Sequence, residues 1–170
     1  ARRDSSGMGF YQRLRARWQT TDAALRFGCE QLSYGDLIAR VERAAGWLQS
    51  AGLSRGDVLM LQTPRSLVFL EVHLAALALG ITTLPLNDRY TPDELAFYRQ
   101  DSGAKRSVLI DGGDVSAAEL PARLAAAAPA QLDADVPDDL PALLCYTSGT
   151  TGRPTGAGAT HRNLAGTAGA

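Results

Sequence analysis

The stretch Pro141-Ala-Leu-Leu-Cys-Tyr-Thr-Ser-Gly-Thr-Thr-Gly-Arg-Pro-Thr-Gly156 passes directly from an apolar run into glycines and hydroxyl-bearing residues. Glycines let backbone N–H groups approach a charged ligand without interference from a Cβ atom, and Ser and Thr hydroxyls donate hydrogen bonds to phosphate oxygens. The stretch therefore predicts a strand followed by a loop that binds a nucleotide phosphate. A flexible Gly/Thr linker is the alternative, but a linker would not need the apolar run before it.

The residues predicted to bind phosphate are those of the loop itself: Thr147, Ser148, Gly149, Thr150, Thr151, Gly152, Arg153, Thr155 and Gly156. For Arg153 the sequence leaves two orientations open, one toward the phosphate and one toward solvent. The loop is not the P-loop of kinases and GTPases, because that motif needs a Gly-Lys pair and no lysine follows a glycine here. No catalytic residue and no metal ligand is assigned, and His161, which follows the capping residue Thr160, is placed in a first helical turn.

Upstream of the loop, short apolar runs alternate with longer helical patterns. Strands are predicted near residues 58–61, 83–86, 108–110 and 143–146, and helices over residues 66–79, 92–101 and 117–127. This alternation predicts an α/β fold in which right-handed crossovers build a parallel sheet flanked by helices. Ligands of such sheets gather at the carboxyl ends of the strands, where the loop also falls.

The amino-terminal part carries different signals. Residues 10–18 form a basic amphipathic helix in which Leu14 and Trp18 are spaced to pack on a domain, whereas its three arginines are expected in solvent. An organellar transit peptide is the alternative for this segment. Residues 24–32 alternate about Gly28 as a small hairpin does. Ser33-Tyr-Gly-Asp36 then offers a capping box for a helix that ends before Gly52.

Composition excludes several classes of function. The 170 residues are 45% hydrophobic with a net charge of −1, so a single domain is expected, without the basic field that holds nucleic acid or an anionic membrane. Cys29 and Cys145 show neither metal-ligand spacing nor the pattern of a disulfide framework, which favours a reducing, cytoplasmic location. Cys145 is expected to be a small buried residue. Residues 124–139, rich in Ala, Pro and Asp, are expected to form a solvated surface connection.

The loop resembles the Tyr-Thr-Ser-Gly-Thr-Thr-Gly-x-Pro-Lys-Gly signature of the adenylate-forming (AMP-binding) superfamily, which includes acyl-CoA synthetases, luciferases and peptide-synthetase adenylation domains. Thr155 stands where this superfamily has lysine, near the β- and γ-phosphates, so a point charge is missing there. Residues 32–37, 52–58 and 80–87 fall in the order of acyl-CoA synthetase amino-terminal regions. The resemblance thus covers nearly the whole chain.

The resemblance implies that residues 1–170 are the amino-terminal part of a truncated AMP-binding domain, namely the first α/β subdomain of the large domain with a small hairpin. It implies ATP, Mg²⁺ and CoA as cofactors of the parent family and a small carboxylic acid as substrate. Residues 84–95 look most like malonyl-CoA synthetases, although Asn87 and Thr91 equally suit simple turn and cap contacts. Enzymes of the family are roughly three times as long.

Several functions therefore remain open at this point. The first is a fragment of an ATP-dependent carboxylate–CoA ligase, acting on malonate or another short acid and inactive by itself. The second is a degenerate, non-catalytic domain that binds a nucleotide or a partner. The third is a domain completed by a separate chain. A subdomain without its neighbours is also expected to self-associate through the apolar face left uncovered.

Overall fold

The computed structural model describes residues 8–20, 22–132, 135–147 and 154–167. In these residues six helices and eight strands follow one another along the chain, in this order: α1 (Phe10–Arg15), β1 (Ala23–Phe27), β2 (Glu30–Ser33), α2 (Tyr34–Ser50), β3 (Val58–Leu61), α3 (Leu67–Leu79), β4 (Thr82–Pro85), α4 (Pro92–Ser102), β5 (Arg106–Leu109), β6 (Val115–Ser116), α5 (Leu120–Ala126), β7 (Pro141–Thr147), β8 (Thr155–Thr160) and α6 (His161–Thr167).

The main sheet has six strands in the order β6-β5-β3-β4-β7-β8. Every neighbouring pair is parallel except β7 and β8, which form an antiparallel hairpin at one edge. The predicted parallel α/β sheet is therefore confirmed. The strand β3 has the predicted bounds, whereas β4, β5 and β7 begin one or two residues earlier than predicted. In β5 and β7 the reason is that Arg106 and Pro141 also take part in the pairing.

The strand β3 lies in the middle of the molecule and is covered on both faces. Leu59 and Leu61 are 0% exposed and belong to a large core that includes residues of α2 and α3. Met60 points the opposite way into a smaller core with Leu84 and with Tyr98 of α4. Alternate residues of one strand thus serve two cores, which explains why this strand reads as a continuous apolar run.

The helices begin and end where short-range chemistry predicts. Ser33 Oγ accepts a hydrogen bond from the Asp36 amide at 3.1 Å, and Asp36 accepts one from the Ser33 amide, so the predicted capping box is confirmed. Thr91 and Glu94 make a second capping box at the start of α4. Gly80 ends α3 in the left-handed conformation, with φ of 71°, which a residue with a Cβ rarely adopts.

The amino-terminal region matches the predictions with two corrections, the first being that the helix predicted over residues 10–18 covers only Phe10–Arg15. The hairpin of β1 and β2 is antiparallel as expected, and Trp18 packs edge-on to Tyr11 and stacks on Tyr34. Arg13, however, does not lie in solvent: it forms an ion pair with Asp138, and its side chain is only 18% exposed. The six-residue helix α1 therefore packs on the domain with its apolar face and also with part of its basic face.

Other expectations fail where tertiary neighbours decide the outcome. The helix predicted over residues 117–127 is shorter in the structure, where it is α5 and covers Leu120–Ala126. The connection over residues 124–139 is not entirely solvated, because Val136 is 0% exposed. Cys145 is exposed rather than buried, since its partner in the edge strand is the small residue Ala157.

Candidate functional site

The hairpin of β7 and β8, called here the loop hairpin, brackets the predicted phosphate loop. Thr147 and Thr155 are its last paired residues, and the Thr147 hydroxyl donates to the Thr155 carbonyl oxygen at 3.5 Å. Of the predicted binding residues the structure brings together Thr147, Thr155 and Gly156. The other six lie outside the described residues: Ser148, Gly149, Thr150, Thr151, Gly152 and Arg153.

The loop hairpin places these residues at a favourable edge of the sheet. β7 runs parallel to β4, with Leu143 opposite Thr83, so Thr147 lies beyond the carboxyl end of the strand pair. Ligand sites of parallel sheets form at this end. Thr147 and Thr155 are both exposed, and their hydroxyls are therefore accessible to a ligand.

Thr155, at the position of the superfamily lysine, is the first residue of β8. A lysine there would extend from the mouth of the hairpin, opposite Thr147. The structure thus identifies the point at which the positive charge of the signature is missing, and only neutral hydroxyls occupy this last pair.

The exit from the loop hairpin is held by a capped helix. Thr160 Oγ1 accepts from the Asn163 amide at 3.3 Å, while Asn163 Oδ1 accepts from the Thr160 amide at 2.9 Å. His161 is the first residue of α6, as predicted, and is 0% exposed. Its Nδ1 accepts a hydrogen bond from the Phe10 amide at 3.2 Å, and burial lowers the pKa of its ring. His161 therefore anchors α1 to α6 as a neutral side chain, away from solvent.

One side of the helix α6 faces the core. His161 and Ala165, four residues apart, are both buried, and Leu164 packs against the large core. The stripe is difficult to detect in the sequence because one member is a histidine and another an alanine. Likewise, β8 forms although Gly158 disfavours a strand.

One residue at the site was not singled out by the sequence. The Tyr146 hydroxyl donates to Asp101 Oδ2 of α4 at 2.5 Å, and its ring lies 4.7 Å from that of Tyr98. Burial and the neighbouring Asp101 carboxylate raise the pKa of Tyr146, so its hydroxyl remains a donor. The two partners are separated by 45 residues in the chain, and no local pattern connects them.

Within residues 8–20, 22–132, 135–147 and 154–167, no group of three or more His, Cys, Asp or Glu side chains is arranged to hold a metal ion. Across the described part of the chain, no helix has the length and apolar character needed to cross a membrane.

The sequence profile of the AMP-binding enzyme family matches residues 13–170, nearly the whole chain. The chain belongs to the AMP-binding enzyme family. The feruloyl-CoA synthase of an Amycolatopsis species is 39% identical over 94% of this chain. The oxalate–CoA ligase of Arabidopsis thaliana is 34% identical over 79% of it. The family resemblance inferred from the sequence is confirmed.

Solved structures of AMP-binding enzymes share the fold. ATP-bound MatB from Rhodopseudomonas palustris superposes with a TM-score of 0.81 and 30% identity, over 94% of this chain and 36% of that one. The chain spans about a third of the length of the curated relatives, 34% for the feruloyl-CoA synthase. It therefore corresponds to the amino-terminal region of the family's adenylate-forming fold.

Proposed function

We propose that this chain provides the phosphate-binding part of an ATP-dependent carboxylate–CoA ligase. The observation that carries the proposal is the position of the signature: its described residues Thr147, Thr155 and Gly156 are paired at the carboxyl edge of a parallel sheet. The profile match to AMP-binding enzymes and the similarity to CoA ligases support it. Residues 147–156 would cradle the pyrophosphate portion of ATP.

The reaction of such a ligase has two steps. A carboxylate oxygen attacks the α-phosphorus of ATP and the bond to pyrophosphate breaks, which leaves an acyl-adenylate. The sulfur of CoA then attacks the acyl carbon and AMP leaves. Protein groups contribute mainly position and charge stabilisation to such transfers. In this chain that contribution would be backbone N–H groups and hydroxyls directed at phosphate oxygens.

For the acid we propose malonate or another short carboxylic acid. The support is the likeness of residues 84–95 to malonyl-CoA synthetases and the match to MatB, a malonyl-CoA synthetase. Tyr90 of this segment packs 5.0 Å from Tyr98, which in turn contacts Tyr146. The segment is thereby connected to the loop hairpin. Ferulate and oxalate, which appear in the names of relatives, are the competing acids to test.

The phosphate-binding proposal is tested by calorimetric titration of this chain with pyrophosphate and with ATP at two ionic strengths. The variant Thr155→Lys restores the signature and is expected to bind about tenfold more tightly, since a charge-assisted hydrogen bond contributes about 1.5–3 kcal/mol and the site is exposed. The gain should shrink as salt rises. Equal affinities for both forms would contradict an assembled phosphate site.

Ala157→Lys is the matched control for this titration. It adds the same charge to the same strand, two residues farther from the loop, at an exposed position. A gain confined to Thr155→Lys indicates a specific contact at the mouth of the hairpin. A similar gain from both variants would indicate general attraction of an anion and would count against the proposed geometry.

A non-catalytic nucleotide-binding domain is the second candidate, and Thr155 in place of lysine is the observation that favours it. With malonate, ATP, Mg²⁺ and CoA, we expect this chain to bind nucleotide without forming acyl-CoA. Formation of acyl-CoA by the pure chain would overturn this expectation.

Self-association remains a further proposal about partners. Among the described residues the large hydrophobic side chains that are exposed are Met8 and Phe27, at 37% and 47%. Phe27 ends β1 beside the turn of the small hairpin. Light scattering at increasing concentration tests the proposal, and Phe27→Ser should reduce association if this face is the contact. A monomer at every concentration would contradict it.

A further inference from the structure

The entry to the loop hairpin is joined to α4 by a polar contact. Tyr146 immediately precedes Thr147, and its hydroxyl donates to Asp101 Oδ2 at 2.5 Å. Asp101 lies one residue before the end of α4. A hydrogen bond to an ionised carboxylate is shorter and stronger than one between neutral groups. The contact therefore ties the carboxyl end of β7 to a helix that is packed on the sheet.

The Tyr146 ring reaches the other strand of the hairpin as well. Tyr146 and Gly156 are partners in the register of β7 and β8. A Cβ atom placed on Gly156 would lie 3.4 Å from Cε1 and Cζ of the Tyr146 ring. On its other side the ring packs against Tyr98 and, at 6.3 Å, against Phe97. One side chain thus touches both strands that carry the loop and the helix beside them.

We propose that Tyr146 and Asp101 act as a positioning pair that holds the stem of the phosphate loop in the geometry that binds ligand. The proposal rests on the proposed function of the loop and assigns no contact with phosphate to either residue. Holding a binding loop in its bound conformation lowers the ordering cost of association. Packing against Phe97 and Tyr98 fixes the orientation of the Tyr146 ring. The hydrogen bond to Asp101 fixes the position of its hydroxyl group.

The exposed position of Asp101 separates this role from a purely structural one. Removing the Tyr146 hydroxyl leaves the carboxylate facing water, so no charge is buried without a partner. The variant Tyr146→Phe keeps the ring and its packing. We therefore expect it to unfold at nearly the same denaturant concentration as the unmodified chain, while its loop hairpin and its ligand affinity change.

The test combines two measurements on Tyr146→Phe, Asp101→Ala and the double variant. The first is affinity for pyrophosphate, expected to fall about fivefold in each single variant and no further in the double variant, because both remove one interaction. The second is amide hydrogen exchange of residues 145–147 and 155–157, expected to be about fivefold faster. Asp101→Asn keeps an acceptor oxygen and should recover part of both losses.

Ser102→Ala is the matched control, because the Ser102 hydroxyl donates to the Tyr98 carbonyl within α4 at 2.6 Å and does not involve β7. It should leave affinity and stem exchange unchanged. Unaltered exchange in Tyr146→Phe would overturn the positioning pair even if the chain binds no phosphate. Faster exchange together with no binding by the unmodified chain would instead refute the proposed function and leave the pair in place.

Discussion

The centre of the sheet and the loop hairpin differ in residue size and in burial: large buried side chains form the centre, whereas small exposed residues form much of the hairpin. The centre (β3, β4, α2 and α3) has Leu61 and Leu84 at 0% exposure and is enclosed by two cores. The loop hairpin (β7 and β8) carries Gly-Ala-Gly-Ala at residues 156–159, all partly or fully exposed. Local stability follows buried apolar contacts. The difference indicates a rigid scaffold that carries a lightly packed hairpin, and the candidate site lies on the hairpin.

The largest expected effect comes from truncating matched leucines in the two regions. Leu61→Ala removes a side chain that is 0% exposed and should lower the free energy of unfolding by about 3–4 kcal/mol. Leu143→Ala, half-buried in β7, should cost about 1 kcal/mol, because part of its surface is already in water. Urea unfolding measures both values. Equal losses would show that the hairpin is as tightly packed as the centre.

Acid provides a second way to separate the regions. Burial, together with a smaller contribution from the neighbouring His161, lowers the pKa of His73 in α3 to about 4. An unfolded histidine has a pKa of about 6.5, so the unfolded chain binds more protons between these values and stability falls as pH drops from about 6.5 to about 4. The loss should reach about 3 kcal/mol, at about 1.4 kcal/mol per pH unit.

Variants of the two histidines show how much of this acid-dependent loss of stability each histidine causes. His73→Gln removes the titrating group while keeping a polar partner for Thr83 Oγ1, which lies 2.8 Å from His73 Nδ1. The pH dependence of urea unfolding should become shallower in this variant. His161, whose pKa is lowered by burial, contributes in the same direction and should account for the remaining slope. An unchanged slope in His73→Gln would show that His73 does not govern acid sensitivity.

A pair of helical glycines tests the packing around the centre. A Cβ atom on Gly46 of α2 would lie 1.8 Å from the carbonyl oxygen of Ala128, so Gly46→Ala must displace backbone and should cost about 2 kcal/mol. Gly166 of α6 has nothing within 4 Å of its Cβ position, and Gly166→Ala should instead stabilise by about 0.5 kcal/mol. Thermal unfolding should show opposite signs. Two losses would refute the contrast.

The sequence predicted the features that depend on near neighbours. The capping box of Ser33 and Asp36 involves residues three apart, and the apolar run of β3 follows directly from burial on both faces. Three other predictions were correct for the same reason: the order of strands and helices, the small hairpin and the family resemblance. Each depends on a pattern of residues that are close together in the sequence.

The failures share a different cause, which is that distant partners decide the outcome. Arg13 is drawn out of solvent by Asp138, which lies 125 residues away, and Cys145 is exposed because the strand beside it happens to carry Ala157. The contact of Tyr146 with Asp101 is of the same kind. At the candidate site the loop residues were predictable from composition, whereas the side chains that hold the stem were not.

The smallest expected effect comes from replacing a glycine in β8, where side-chain packing is sparse, with a residue that favours a strand. Gly158 has open space around its Cβ position, with the Leu143 carbonyl oxygen 4.0 Å away, and its φ lies outside the left-handed region. Gly158→Val should therefore stabilise β8 by about 0.5–1 kcal/mol, because glycine in a strand is entropically costly and valine favours a strand.

Gly156→Val is the control, since its Cβ would already lie 3.4 Å from Leu144 and Tyr146, and its γ-methyl groups would press on the Tyr146 ring. Hydrogen exchange of residues 155–160 should slow in Gly158→Val and not in Gly156→Val. If neither variant slows it, the glycines do not limit the stability of the hairpin, and the sparse side-chain packing on its exposed face becomes the better explanation for its exchange.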